Sequence, residues 1–91
     1  MDGLEHLLSI AKTDTGGGHR CAMFLLSLWN GYEFPADMQE LLYVDDAIFG
    51  EMIEVLRYLH ANNLQLDSLV SQSEIDPILA MWGDVLRQPE Q

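Results

Sequence analysis

The chain has 91 residues, of which 48% are hydrophobic, and its 15 Asp and Glu residues face only 4 Lys and Arg residues, giving a formal net charge of −11. This length allows one hydrophobic core and no second domain, so we expect a single domain over residues 1–91 with a frayed tail at residues 88–91. The charge argues against direct binding to nucleic acid or anionic lipid, because those contacts depend on clusters of Lys and Arg.

Apolar residues recur at helical spacing from Leu4 to Ala11, which predicts an amphipathic first helix over residues 2 to about 12. Three consecutive glycines, Gly16 to Gly18, come next, and glycine carries a high entropic cost in a helix. We therefore predict that residues 13–18 break the first helix and that Gly16 to Gly18 form a flexible turn or a junction between two helices. A phosphate-binding loop is not indicated, since no Lys followed by Ser or Thr comes after the glycines.

From about His19 to Asn30, apolar residues surround almost the whole helix circumference, which predicts a second helix that is central and buried. Gly31 is placed to end this helix. Asp37 followed by Glu40 has the pattern of a capping box, in which the two side chains satisfy free backbone amides at a helix start. A short third helix is therefore predicted at about residues 38–43.

Asp45 and Asp46 precede the most regular helical pattern in the chain, which predicts a fourth helix over about residues 46–61. Asn62 and Asn63 follow it, and asparagine tolerates the left-handed conformation found at helix ends. The residues expected to share the apolar face of this helix are Phe49, Met52, Ile53, Leu56, Leu59 and His60.

The last helix has two candidate starts. Asp76 and Pro77 have the pattern of a cap and a first helical residue, while Ser71 and Glu74 leave an earlier start open. A helical turn at residues 68–70 is expected in the connection that precedes it. The predicted buried face of the last helix consists of Ile75, Ile78, Leu79, Trp82, Val85 and Leu86.

No segment alternates apolar and polar residues with a period of two, so we expect little or no β-sheet. The predicted fold class is therefore all-α: a compact bundle of four or five short helices. The second, fourth and last helices are expected to supply most of the core.

Three short segments stand out as a set. They read Leu7-Leu8-x-Ile10-Ala11-Lys12-x-Asp14-Thr15-Gly16, Phe24-Leu25-Leu26-x-x-Trp29-Asn30 and Val44-Asp45-Asp46-x-Ile48. Together they resemble a family of short uncharacterised proteins, a domain of unknown function, carried by bacterial plasmids, integrating elements and phages. The resemblance implies a mobile-element setting and supplies no catalytic or binding residue. It favours proteins that inhibit or regulate host nucleic-acid machinery, among which small acidic helical proteins, including anti-CRISPR proteins, are frequent.

Cysteine usage and the N-terminus predict the compartment. Cys21 is the only cysteine, so no internal disulfide can form, which is typical of a reducing environment. The first residues, Met1 to Glu5, lack the basic start and apolar run of a signal peptide. No segment approaches the roughly 20 apolar residues that cross a bilayer. We expect a cytoplasmic protein without a membrane partner.

Ligand and nucleophile candidates do not form a recognisable site in the sequence. The soft metal ligands are His6, His19, Cys21 and His60, and no two of them have the paired spacing typical of a zinc site. Cys21 falls on an apolar helix face, where a thiol is normally inert packing. We therefore expect a non-enzymatic protein with no catalytic residue, no metal and no cofactor.

Acidic residues of the middle third carry the functional hypothesis. They lack the alternating acids and turn glycine of a calcium loop, and they are interspersed with an aromatic residue that suits a protein interface. We expect them to bind a basic surface of another protein, such as a nucleic-acid-binding complex. The predicted partner-binding residues are Glu33, Asp37, Glu40, Tyr43, Asp45, Asp46, Glu51 and Glu54.

A second interpretation stays open. Helices this apolar in a chain this short could complete their burial in a homodimer, which would make the protein a structural or adaptor subunit. Salt separates the two interpretations, since attraction by carboxylates weakens at high ionic strength whereas an apolar helix interface does not.

Overall fold

The structure is a computed structural model that describes residues 1–89. It is 71% helical and has no strand among these residues, so the predicted all-α fold class is confirmed. Its radius of gyration, 12.2 Å, is that of a compact chain. The helices are α1 (Asp2–Ala11), α2 (Gly16–Trp29), α3 (Met38–Leu41), α4 (Asp46–Asn62) and α5 (Gln72–Leu86), and a 3-10 turn covers Leu66–Ser68.

Helices α1 and α2 form a hairpin, and α1 packs against α4. The prediction that α2 begins near His19 is wrong, because α2 begins at Gly16 and the three glycines form its first turn. The cause is Thr15, whose side chain accepts a hydrogen bond from the backbone amide of Gly18 at 2.8 Å. This cap satisfies an amide that a helix start would leave unpaired, and it offsets the entropic cost of glycine.

Helix α2 is the centre of the molecule, as predicted. Its residues from Cys21 to Leu26 are all buried, and the helix contacts α1, α3 and α5. After Asn30 the chain turns, and Phe34 packs its buried ring beside the indole of Trp29 with ring centroids 6.2 Å apart. The chain then returns along α2, where the Asp37 amide donates to the Met23 sulfur.

The short α3 ends at Leu41, earlier than the predicted residue 43. Asp37 caps it as expected, since its side chain accepts hydrogen bonds from the amides of Gln39 and Glu40. The second half of the expected capping box, a hydrogen bond from the Asp37 amide to the Glu40 carboxylate, is replaced by two other contacts. The Asp37 amide donates to the Met23 sulfur, and the Glu40 carboxylate accepts a hydrogen bond from Arg20.

Helix α4 covers the predicted stretch and ends at Asn62, with Asn63 in the left-handed region at a φ of 53°. Its predicted apolar face is only partly right. Met52 and Leu59 are buried, but Phe49 and Leu56 are each 39% exposed, and Val55 is buried in their place. The buried stripe is therefore rotated by roughly 70° around the helix from the predicted face.

Helix α5 begins after Ser71, whose side chain forms a capping box with Glu74. The earlier of the two starts is the correct one, and Pro77 lies inside the helix. Of the predicted face, Ile75 and Ile78 are buried and the other members are half-buried, except Val85, which is exposed; that assignment is wrong.

Two contacts tie α5 to the rest of the bundle. The indole nitrogen of Trp82 donates to the carbonyl of Ala11 at 2.9 Å, and the amide of Gln88 donates to the carbonyl of Glu33 at 2.7 Å. The expected helical turn before α5 lies at Leu66–Ser68, with Leu66 buried, and not at residues 68–70. The predicted tail, residues 88–91, falls partly outside the described residues, at 90–91. No helix within residues 1–89 is long and apolar enough to cross a membrane.

Candidate protein-binding surface

The eight predicted partner-binding residues lie in three places. Glu33 lies near the end of α5, and Glu51 and Glu54 face α1. The other five belong to one stretch, residues 37–46, which contains no Lys or Arg. We call residues 37–46 the acidic segment.

Glu33 is engaged in the fold. Its carboxylate accepts a hydrogen bond from Nε of Arg87 at 2.7 Å, and a second guanidinium nitrogen lies 3.2 Å from Asp84. The same guanidinium group lies 5.3 Å from the ring centroid of Phe34. The pair with Glu33 raises the pKa of Arg87, so the guanidinium stays charged. Glu33 thus helps to fix α5 on the connection that follows α2.

Glu51 and Glu54 lie on the side of α4 that packs on α1. Nδ1 of His6 is 2.6 Å and 2.9 Å from the two carboxylate oxygens of Glu51. A Cβ atom at Gly3 would lie 3.4 Å from the Glu54 carboxylate, so Glu54 lies beside the first turn of α1, where a helix dipole favours negative charge. Both residues therefore have roles in holding α1 on α4.

Glu40 and Tyr43 share one cation. Nε of Arg20, on α2, lies 3.3 Å from the Glu40 carboxylate, and its guanidinium carbon lies 5.6 Å from the ring centroid of Tyr43. Arg20 is the only cation shown to contact the acidic segment in the described structure. The Tyr43 ring is nevertheless 65% exposed, so one of its faces stays open to solvent.

Asp37, Asp45 and Asp46 are exposed carboxylates. Asp37 caps α3, and Asp45 caps α4 by accepting a hydrogen bond from the Ile48 amide at 2.9 Å. Asp46 occupies the first turn of α4, where the helix dipole favours a negative charge. Capping leaves these side chains charged and accessible, so the acidic segment carries a surplus of negative charge after Glu40 is paired with Arg20.

Sequence reasoning missed the apolar part of the same surface. Met38 is 69% exposed and Leu42 is 70% exposed, on or directly after α3. Residues 38–42 include three apolar side chains, Met38, Leu41 and Leu42, and a helix as short as α3 cannot bury all of them. The sequence therefore contained a signal for exposed apolar side chains. In the structure only Leu41 is buried. An exposed apolar group among carboxylates is typical of a binding surface.

A family model for a family of unknown function, DUF7673, matches residues 1–83. The chain belongs to the DUF7673 family. The match includes all eight predicted partner-binding residues and the whole acidic segment. No curated protein matches the chain, and no solved structure does.

The DUF7673 chain has a buried thiol and dispersed histidines. Cys21 is fully buried, and burial, followed by the carboxylates of Glu51 and Asp45, raises the pKa of its thiol to about 11. A thiol with such a pKa is almost entirely protonated at neutral pH and is a poor nucleophile. His19 packs edge-on against Trp82 with ring centroids 5.3 Å apart. Within residues 1–89, no three His, Cys, Asp or Glu side chains converge on a site for a metal ion.

Proposed function

We propose that this protein is a non-enzymatic binding protein whose acidic segment docks on a basic surface of another protein. The observation that carries the proposal is the composition of the exposed side chains at residues 37–46. Three accessible carboxylates, Asp37 before and Asp45 and Asp46 after, flank the exposed apolar residues Met38 and Leu42 in the sequence, and Arg20 is the one cation shown to contact this segment in the described structure. Carboxylates provide long-range attraction, and apolar side chains provide contact energy after docking.

The proposed partner class is a protein that handles nucleic acid. Such proteins carry clusters of Lys and Arg to contact phosphates, and these clusters are complementary to a chain of net charge −11. A chain that covers such a cluster would act as an inhibitor or regulator. Because the sequence resembles proteins of plasmids, integrating elements and phages, we propose that this protein is encoded on a mobile element and acts in the bacterial cytoplasm. An anti-CRISPR-like role fits that setting.

A homodimeric structural or adaptor protein is the second candidate. It is favoured by the exposed apolar side chains of α4, Phe49 and Leu56, which a second copy could bury. The charge opposes it, because the two-fold axis of a dimer would bring identical acidic surfaces together.

The test compares two triple variants of equal charge. Asp37→Asn, Asp45→Asn and Asp46→Asn together remove the accessible charge of the acidic segment, while Asn keeps the caps of α3 and α4 because it caps about as well as Asp. The control replaces three exposed carboxylates elsewhere, Asp14, Asp67 and Asp76, by Asn. The partner is first identified by capture from the native host, and its affinity for each variant is then measured.

We expect the first triple variant to bind at least roughly a hundredfold more weakly than wild type, and the control to bind within a few-fold. The wild-type affinity should fall with increasing salt, and nucleic acid should compete for the partner. Undiminished affinity of the first variant would reject the proposal. Sedimentation of the wild-type chain as a dimer at low micromolar concentration would favour the second candidate.

A further inference from the structure

An apolar groove with a volume of 160 Å³ lies beside the acidic segment. Helix α2 contributes Phe24 and Leu28, α3 contributes Met38 and Leu41, and α4 contributes Leu56. A cavity of about 150 Å³ lined by apolar side chains accommodates benzene. The groove therefore matches the size of one phenyl ring or one large aliphatic side chain.

The lining combines a buried floor with accessible walls. Phe24 and Leu41 are buried, whereas Met38 is 69% exposed and Leu56 is 39% exposed. A side chain that enters from solvent would cover the exposed parts of Met38 and Leu56 and rest on Phe24. Removing these apolar surfaces from water supplies the contact energy for such an insertion.

Carboxylates lie on the same side of the molecule as the groove. Asp37 directly precedes Met38, and the helical period places Asp45 on the same side of α4 as Leu56, roughly 16 Å before it along the axis. His60 lies further along that side, and Arg57 is rotated about 100° away from Leu56, toward solvent. Asp37 and Asp45 thus give this side of the molecule negative charge, and Arg57, the cation next to Leu56 in the sequence, lies on a different side of α4.

We propose that this groove receives one bulky apolar side chain, Phe or Leu, from a helical segment of the partner that carries Lys or Arg on either side of it. The basic residues would contact Asp37, Asp45 and Asp46 of the acidic segment, while the apolar side chain fills the groove. This inference rests on the proposed function and adds the chemistry of the partner segment.

A second copy of the chain is a poorer occupant by charge complementarity. The chain has only 4 Lys and Arg residues, and two of them, Arg20 and Arg87, are paired within the fold. A copy seated in the groove would therefore bring further carboxylates to Asp37, Asp45 and Asp46, and like charges repel at an interface. A basic segment meets no such repulsion.

The first experiment uses a synthetic peptide as the probe. It is a roughly 15-residue helical peptide of Ala and Lys with one central Phe, added to the full chain labelled with ¹³C at its methyl groups. We expect chemical-shift changes at the methyl groups of Met38, Leu41 and Leu56. The matched peptide with Ala in place of Phe should bind roughly tenfold more weakly, since a phenyl group is no longer buried. A peptide with Glu in place of Lys should not bind.

The second experiment changes the groove. Leu56→Glu places a charge in the apolar lining and should weaken binding of the Phe peptide at least roughly tenfold, although it makes the protein more acidic. Val85→Glu is the control, because Val85 is an exposed apolar residue on α5 outside the groove and the charge change is the same. A cooperative thermal transition in both variants shows that both remain folded.

The outcomes separate this inference from the proposed function. Equal binding of the Phe and Ala peptides, absence of peptide binding at millimolar concentration, or unchanged affinity of Leu56→Glu would overturn the groove. If the captured partner loses affinity for the Asp37/Asp45/Asp46 triple variant but binds Leu56→Glu as tightly as wild type, the acidic segment functions without the groove. A wild-type dimer that Leu56→Glu dissociates would assign the groove to a second copy and overturn the inference.

Discussion

The α1–α2 junction and the acidic segment both lie between longer helices of the bundle. They differ in how far the fold itself satisfies their polar groups and buries their apolar groups. At the junction, residues 12–15, the Thr13 hydroxyl donates to the Ile10 carbonyl at 2.7 Å, and Thr15 caps α2. In the acidic segment, caps are also present, but Met38 and Leu42 remain largely exposed. Internal packing accounts for the junction, whereas the acidic segment leaves apolar and charged groups available to another molecule.

The largest expected effect tests where the acidic segment is anchored. Phe34, just before this segment, is 1% exposed, whereas Tyr32, two residues earlier, is 89% exposed. Phe34→Ala should lower the free energy of unfolding by about 3–5 kcal/mol, because it leaves a cavity beside Trp29. A domain of this length has about 5–14 kcal/mol in total, so the variant should be close to unfolding. Chemical denaturation followed by circular dichroism measures the change.

Tyr32→Ala is the matched control and should change stability by less than about 0.5 kcal/mol. Equal destabilisation by the two substitutions would show that the connection after α2 is not anchored by Phe34. The acidic segment would then have no fixed position on α2. It would differ from the α1–α2 junction in its structural order and not in the exposure of its side chains.

The second prediction tests the close packing of the junction. A Cβ atom at Gly18 would lie 2.0 Å from the Thr13 carbonyl oxygen, so the two chain segments approach too closely for any side chain. Gly18→Ala should therefore cost about 1–3 kcal/mol through displacement of the turn. Gly50, in the middle of α4, has no atom within 4 Å of such a Cβ. Gly50→Ala should increase stability by about 0.5–1 kcal/mol, because alanine is the better helix former.

Melting temperatures of the two glycine variants provide the comparison in one experiment. If Gly18→Ala is as stable as wild type, Thr13 does not pack against α2 as the structure shows. The junction would then be as loosely determined as an ordinary surface turn.

Local chemistry made most of the helices predictable. Asp37 and Asp45 each supply a side-chain acceptor at a helix start, and at the start of α5 the Glu74 carboxylate accepts a hydrogen bond from the Ser71 amide. The start of α2 was missed because the entropic cost of glycine is a local rule, whereas the requirement for Gly18 comes from its approach to Thr13 in the folded chain. Local rules cannot report such a contact.

The orientation of α4 could not be derived from its pattern, because the helix is apolar on two adjacent sides. One side contains Met52 and Val55 and faces the core; the other contains Phe49 and Leu56 and is partly exposed. The distinction depends on where α1 and α2 lie. Leu56, on the misassigned side, lines the groove.

The candidate site was predictable in composition and not in pairing. The position of each carboxylate follows from the sequence, but Glu33 pairs with Arg87 across 54 residues and Glu51 bonds to His6 across 45 residues. Only the fold brings these partners together. The charge pattern of the sequence therefore did not reveal which carboxylates remain accessible in the folded chain.

The third prediction concerns Cys21, which lies on the well-packed α2 and is influenced by a carboxylate of the acidic segment. Burial, then Glu51, then Asp45 raise the pKa of its thiol from 9.0 to about 11. Between these values the unfolded chain loses the proton while the folded chain retains it, so the free energy of unfolding falls as pH rises. The thiol should contribute a loss of about 1.4 kcal/mol at pH 10.

The measurement is the difference in unfolding free energy between wild type and Cys21→Ala, from pH 8 to pH 11. Tyrosines and lysines titrate in both proteins, so the difference isolates the thiol, and the small cavity left by alanine adds a constant offset. Cys21→Ala should lose less stability than wild type as the pH rises, so the difference between the two should begin to shift in favour of the variant near pH 9. A difference that is constant with pH would show that the thiol ionises equally in both states. In that case α2 admits solvent at Cys21, and the distinction between a closed α2 and an open acidic segment would not hold at that position.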